Sequence, residues 1–135
     1  MLGSKTILIV DGSTYAALDL SASIEDSDGC VAGPVGTLPE ALTILDSCEV
    51  AGAVVDGELP DATALVMRLA KEGMPLVVQT SMPLPRALDC LGGRLSVLMR
   101  PVDARTIIRT LADEIGKAHT RPQMLTSPNI PLNDE

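Results

Sequence analysis

Four polar residues stand where four apolar runs of this chain end. Asp11 follows Thr6–Val10, Asp56 follows Ala51–Val55, Thr80 follows Pro75–Gln79, and Arg100 follows Ser96–Met99. If those runs are parallel strands, all four residues share one carboxyl edge, where open α/β sheets gather their ligands. Two acids, a hydroxyl and a cation form a set suited to phosphoryl groups. A carboxylate can attack phosphorus. The hydroxyl and the cation can hold the oxygens of the product. A hard cation such as Mg²⁺ would bridge carboxylates and phosphate. The centre of the pattern is Ala51-Gly-Ala-Val-Val-Asp56-Gly-Glu-Leu-Pro60, a buried-strand run that stops at an acid and meets Gly57 and Pro60. Read alone, Asp56 also suits a turn or a helix cap, and that stretch leaves both roles open.

The rest of the chain supplies elements to position these groups. Ala17, Leu20 and Ile24 share one helical face, with Gly29 expected to close that helix. Cys30–Gly33 is a weak strand before Pro34. Thr37 and Glu40 form a capping-box pair ahead of the stripe Leu38, Ala41, Leu42 and Leu45. Asp61 or Thr63 caps a helix carrying Leu65 and Leu69, and Gly73 stops it as a left-handed C-cap. Pro83 and Pro85 leave room for only one or two helical turns near Arg86–Leu91. Asp103 caps a last helix with Ile107, Leu111 and Ile115 inward, expected to end at Gly116. Strand and helix thus alternate five times, the rhythm of right-handed βαβ units. The fold class expected is α/β: a flavodoxin-like, doubly wound (βα)5 parallel sheet in the order 2-1-3-4-5, which places Asp11 and Asp56 in one crevice. Residues 1–117 form the domain. Residues 118–135, with Pro122, Pro128 and Pro131 and no periodicity, are expected to be a disordered tail. His119, the one histidine, falls in that tail, where nothing would position it for catalysis.

Composition narrows the function. In 135 residues there is no Phe or Trp, Tyr15 is the one aromatic, and the net charge is −8. Both features argue against nucleic-acid binding, which needs basic surfaces and often stacking platforms. No apolar run reaches the length of a membrane span, and Met1–Lys5 does not read as a secretory signal. Cys30, Cys48 and Cys90 are odd in number without metal-type spacing, so they are expected to be buried free thiols in a reducing cytoplasm. A nucleotide or flavin binder on the same fold class is disfavoured. Asp11-Gly-Ser-Thr has a single glycine and puts an acid where an anion would sit, and Gly33-Pro-Val-Gly36 does not replace a phosphate loop.

Ile-Leu-Ile-Val-Asp11, Val-Val-Asp56-Gly-Glu-Leu-Pro60, Val-Val-Gln-Thr80-Ser81 and Met-Arg100-Pro101-Val-Asp103 together resemble a bacterial response-regulator receiver domain of the CheY-like kind, over Lys5–Ile115. Ala-Leu-Asp19-Leu and Val-Ala-Gly-Pro34 are similar to the stand-alone receivers of alphaproteobacteria. The resemblance implies a two-component or phosphorelay role. Asp56 would accept a phosphoryl group from a histidine kinase or phosphotransfer protein. Asp11 would belong to an acidic pocket for Mg²⁺, Thr80 would bond the phosphoryl group and switch conformation, and Arg100 would stand in the place of the family's lysine. Glu58 lies two residues past the acceptor, where a backbone carbonyl usually binds the metal.

The departures are specific. Gly12 stands where a second adjacent acid is usual, Val97 where an aromatic switch residue is usual, and Met82 where the stand-alone branch often has an aromatic. An arginine is not a lysine in reach or geometry. Two readings follow: a working receiver with weakened Mg²⁺ dependence, in which Asp11, Asp56 and Glu58 form the metal set, or a pseudo-receiver that binds its partner unphosphorylated. Neither is a turnover enzyme. By analogy, output to a downstream protein passes through the face of the fourth helix, fifth strand and fifth helix. Met82, Leu84 and the outward side of Asp103–Glu114, including Arg105 and Arg109, are its candidates.

Overall fold

The computed structural model describes residues 2–82 and 95–120. Five strands, β1 (Thr6–Val10), β2 (Cys30–Val35), β3 (Gly52–Asp56), β4 (Leu76–Thr80) and β5 (Ser96–Met99), form one parallel sheet in the order β2-β1-β3-β4-β5. The doubly wound order expected from the alternation is the one observed. Four helices accompany it: α1 (Thr14–Asp26), α2 (Leu38–Ser47), α3 (Ala62–Lys71) and α4 (Ala104–Thr120). The short helix expected near Arg86–Leu91, together with Leu84 and Cys90, lies outside the described residues, as does residue 121 onward.

Strand side chains alternate between two apolar layers. Leu8, Val10, Ala53, Val55, Leu76 and Val78 pack on α2 and α3. Ile7, Ile9, Val54 and Val77 face the other way and pack on Leu20 and Ile24 of α1 and Ile107 and Leu111 of α4. β3 and β4 are buried along their whole length, as central strands of a two-faced sheet must be. Pro34 lies inside β2, an edge strand, where a missing N–H costs little.

Local signals set most boundaries. Thr37 accepts from the Glu40 N–H at 3.4 Å, while its hydroxyl donates to Glu40 Oε1 at 2.9 Å. Asp103 Oδ1 accepts from the Thr106 N–H at 2.8 Å. Gly73, at φ +75°, completes a Schellman turn in which its N–H bonds Ala70 O and that of Met74 bonds Leu69 O.

Other boundaries differ from expectation. Asp61 is the N-cap residue of α3 but makes no side-chain capping bond, and neither role falls to Thr63. α1 ends at Asp26, and the left-handed position of its Schellman turn is Asp28 (φ 67°), not Gly29. Gly29 is needed for space instead: a Cβ there would stand 2.7 Å from Leu2 and 2.8 Å from Ile24 side-chain atoms. α4 runs through Gly116 to Thr120, taking in His119 and passing the expected domain boundary at 117. Packing of Leu111 and Ile115 against the sheet outweighs the roughly 1 kcal/mol helical penalty of one glycine. Cys30 and Cys48 are exposed rather than buried, because both sit at the ends of elements on the rim. Among the described residues no helix is long and apolar enough to cross a membrane.

Candidate functional site: an arginine among three carboxylates

The carboxyl edge of the sheet gathers Asp11, Asp56, Glu58 and Arg100. Period-two alternation selects them. Asp11 continues the Ile7–Ile9 side of β1, Asp56 the Val54 side of β3, and Arg100 the Leu98 side of β5, all toward α1 and α4. Glu58 reaches the same place from the turn after β3.

Arg100 ties the three acids together. Its Nη1 lies 3.0 Å from Asp56 Oδ1 and 3.0 Å from Glu58 Oε2, and its Nη2 lies 3.7 Å from Asp11 Oδ2. The side chains grade from interior to mouth: Asp11 is 1% exposed, Asp56 11%, Arg100 26% and Glu58 36%. A cavity of about 370 Å³ opens beside Asp11 and Gly12 toward Pro34.

Further bonds hold each acid. Asp11 accepts from the Ser13 N–H at 2.8 Å and from Gln79 Nε2 at 3.2 Å. Asp56 Oδ1 accepts from the Glu58 N–H at 3.0 Å, and Oδ2 faces the Gly12 N–H at 3.5 Å. Glu58 Oε2 accepts from the N–H and the hydroxyl of Ser81, at 2.8 and 2.7 Å.

These surroundings set the charges. Burial pushes the Asp11 carboxyl above its usual range, and the Asp56 charge adds to this against the Ser13 bond and Arg100. The Ser81 hydroxyl and N–H, followed by Arg100, hold Glu58 below the usual range. Burial works against the Arg100 charge. The hydrogen bond to Asp56 and the fields of Asp56 and Asp11 more than offset it, so the guanidinium pKa is raised.

Thr80 is not brought to Asp56. It continues the Leu76–Val78 side of β4, opposite to the acids, and its hydroxyl donates to Met82 O at 3.0 Å and accepts from the Met82 N–H at 3.1 Å. Two polar residues take part that the sequence reading passed over, Gln79 and Ser81. Gln79 pairs in register with Asp56 and is a lone amide in a strand otherwise apolar or ending in Thr80. That misfit in a buried run was the available signal.

The divalent ion implied by the sequence resemblance can be tested against this donor set. Each of the three acids is engaged by the guanidinium, and donors from Ser13, Gln79, Gly12, Glu58 and Ser81 meet both oxygens of Asp11 and Asp56 and Oε2 of Glu58. Among the described residues no group of three His, Cys, Asp or Glu side chains is arranged to hold a metal ion. A Cβ on Gly12 would stand 3.0 Å from Leu59 Cδ2, so a second acid there would need Leu59 to give way. The donor set as it stands does not fit a divalent ion.

No family model matches the chain, and no curated protein matches it. Solved structures do. A CheY-like response-regulator receiver domain from Methanospirillum hungatei JF-1 is similar over 87% of this chain and 98% of that one, at a TM-score of 0.76 and 22% identity. A response-regulator receiver protein from Sinorhizobium medicae WSM419 is similar over 87% and 99%, at 0.73 and 22%. The signal receiver domain of a modulated diguanylate cyclase from Desulfovibrio desulfuricans G20 is similar over 85% and 96%, at 0.73 and 24%. The chain has the receiver fold. At these identities the likeness is one of architecture, and it spans nearly the whole of each neighbour. In the receiver fold the end of the third strand lies at the switch point of the sheet, and Asp56 occupies that place here.

Proposed function

We propose that the protein is a single-domain receiver in two-component signalling, which accepts a phosphoryl group on Asp56 and passes the signal on by protein contacts. The observation that carries this is the position of Asp56: a carboxylate at the switch point of a receiver fold, with a guanidinium 3.0 Å from one oxygen. Oδ1 is bound by Arg100 and the Glu58 N–H, so Oδ2, facing Gly12, is the nucleophile. It attacks phosphorus as the bond from phosphorus to the donor's imidazole nitrogen, or to a carboxylate oxygen of a small donor, breaks. The leaving group keeps the electron pair, and the product is an acyl phosphate on Asp56. Arg100 is placed to neutralise the phosphoryl oxygens.

The donor is a histidine kinase or a phosphotransfer protein in the cytoplasm, and the receiver turns over no substrate of its own. Thr80 would have to leave the Met82 backbone to reach the phosphoryl group, which gives that residue its switching role. Output passes through Met82, which is exposed, and through the outer side of α4 at Arg105 and Arg109. The second reading, a pseudo-receiver acting unphosphorylated, draws support from the engagement of Asp56 by Arg100.

Intact-protein mass after incubation with acetyl phosphate separates the two. The working receiver gains one phosphoryl group, and Asp56→Asn gains none. No gain in either protein, with phosphohistidine donors also inert, would favour the pseudo-receiver.

A further inference from the structure

The pocket holds its own cation. We infer that the Arg100 guanidinium takes the place a divalent ion would need among Asp11, Asp56 and Glu58, so that the pocket excludes Mg²⁺ and works without it. Three carboxylates converge here, and a small region that charged demands a positive partner. Arg100 supplies it from a fixed point, the residue after β5, whose N–H is tied to Thr80 O at 2.9 Å. One nitrogen bridges two of the acids and the other approaches the third, so a planar fork spans what an ion would otherwise bridge.

Gly12 fits the same account. Its N–H lies 3.5 Å from Asp56 Oδ2, and Leu59 covers the side where a longer residue would extend. With a glycine here, position 12 adds no carboxylate, and one guanidinium serves the acids that remain. Glu58 completes the set. Ser81 fixes it through two donors, so that its Oε2 receives Arg100 and the guanidinium is held from both sides.

Exclusion of the ion stands on this geometry alone. The metal-independent transfer rests in addition on the acceptor reading of Asp56. The decisive experiment is a Mg²⁺ titration of the full chain followed by the amide resonances of Gly12, Gly57 and Glu58, in wild type and in Arg100→Ala. The wild type is expected to show no saturating shift up to about 20 mM, whereas Arg100→Ala, with its acids released, saturates in the low millimolar range. Saturation of the wild type as tightly as the variant would overturn the inference, and so would saturation of neither. Arg100→Gln, which keeps bulk and donors without charge, replaces Arg100→Ala if that variant does not melt cooperatively.

In parallel, acetyl phosphate labelling of the wild type should proceed at rates within about twofold in excess chelator and in Mg²⁺. An increase of about tenfold or more with Mg²⁺ would overturn it. Absence of any adduct would defeat the acceptor reading and leave the titration to decide ion exclusion.

Discussion

The two ends of the sheet each bury an acid, and they treat it differently. At the amino end Glu114 of α4 is met by one hydroxyl, from Ser96 at the start of β5, and one ammonium, Lys117 at 3.5 Å. The ion pair there joins one carboxylate to one ammonium. At the carboxyl end three acids share one guanidinium, and the Asp11 carboxyl is pushed up by burial and by the Asp56 charge beside it. A fold that needed only to close its sheet could have used the first arrangement twice. The excess negative charge at the second end, open to a cavity, is a clustering of titratable groups of the kind that functional sites gather.

The sharpest way to break this contrast is to remove the shared cation. Arg100→Ala leaves Asp11 and Asp56 without their partner and should cost about 2–4 kcal/mol of stability at neutral pH, less than a fully buried pair because the guanidinium is partly solvated. Chemical denaturation measures it, and a loss below about 0.5 kcal/mol would mean the acids do not depend on Arg100. Thr80→Val removes a buried hydroxyl that both donates to and accepts from Met82 and should cost about 1–2 kcal/mol. Acyl-phosphate formation should survive that change, since the hydroxyl does not face Asp56. At the balanced end, Glu114→Gln keeps a partner for Ser96 and should cost less than about 1 kcal/mol in the same assay.

The pH dependence sharpens the comparison further. The folded-state pKa of Asp11 is raised, so the folded protein retains a proton that the unfolded chain gives up. The stability this supplies is fully present below the ordinary carboxylate range and is lost as pH rises through the folded Asp11 value. Thermal melts of wild type and Asp11→Asn from about pH 3.5 to about pH 7 should therefore differ in slope, with the variant flatter. Glu58 and Asp103 work in the opposite sense. Their lowered pKa values give stability present above the ordinary range and lost on acidification. Ser81→Ala should move the Glu58 titration back up toward the ordinary range, a shift visible in carboxyl NMR and the smallest effect of the set.

Much of the architecture was legible because its signals are local. Thr37, Gly73 and Asp103 act within four residues of themselves, and the apolar runs announce buried strands. Asp11, Asp56 and Arg100 were legible because a strand end fixes an edge. Thr80 stands at the edge the strand end names, but that argument does not name the face. Counting by twos along β4 puts Gln79, not Thr80, beside Asp56. Gly116 and Gly29 misled in another way: a glycine in sequence reads as a stop, while here one is carried inside a well-packed helix and the other clears space for Leu2 and Ile24. Exposure of Cys30 and Cys48 depends on which element ends reach the rim, and no single-residue signal carries that.

The central claim is that Asp56, among three clustered acids, is the one that accepts phosphorus. The direct measurement is to label the protein with acetyl phosphate, reduce the acyl phosphate with borohydride, and locate the reduced side chain by peptide fragmentation. The account predicts one mark, at position 56, appearing in chelator as well as in Mg²⁺. A mark at Asp11 or Glu58, or no mark under any phosphoryl donor, would contradict it.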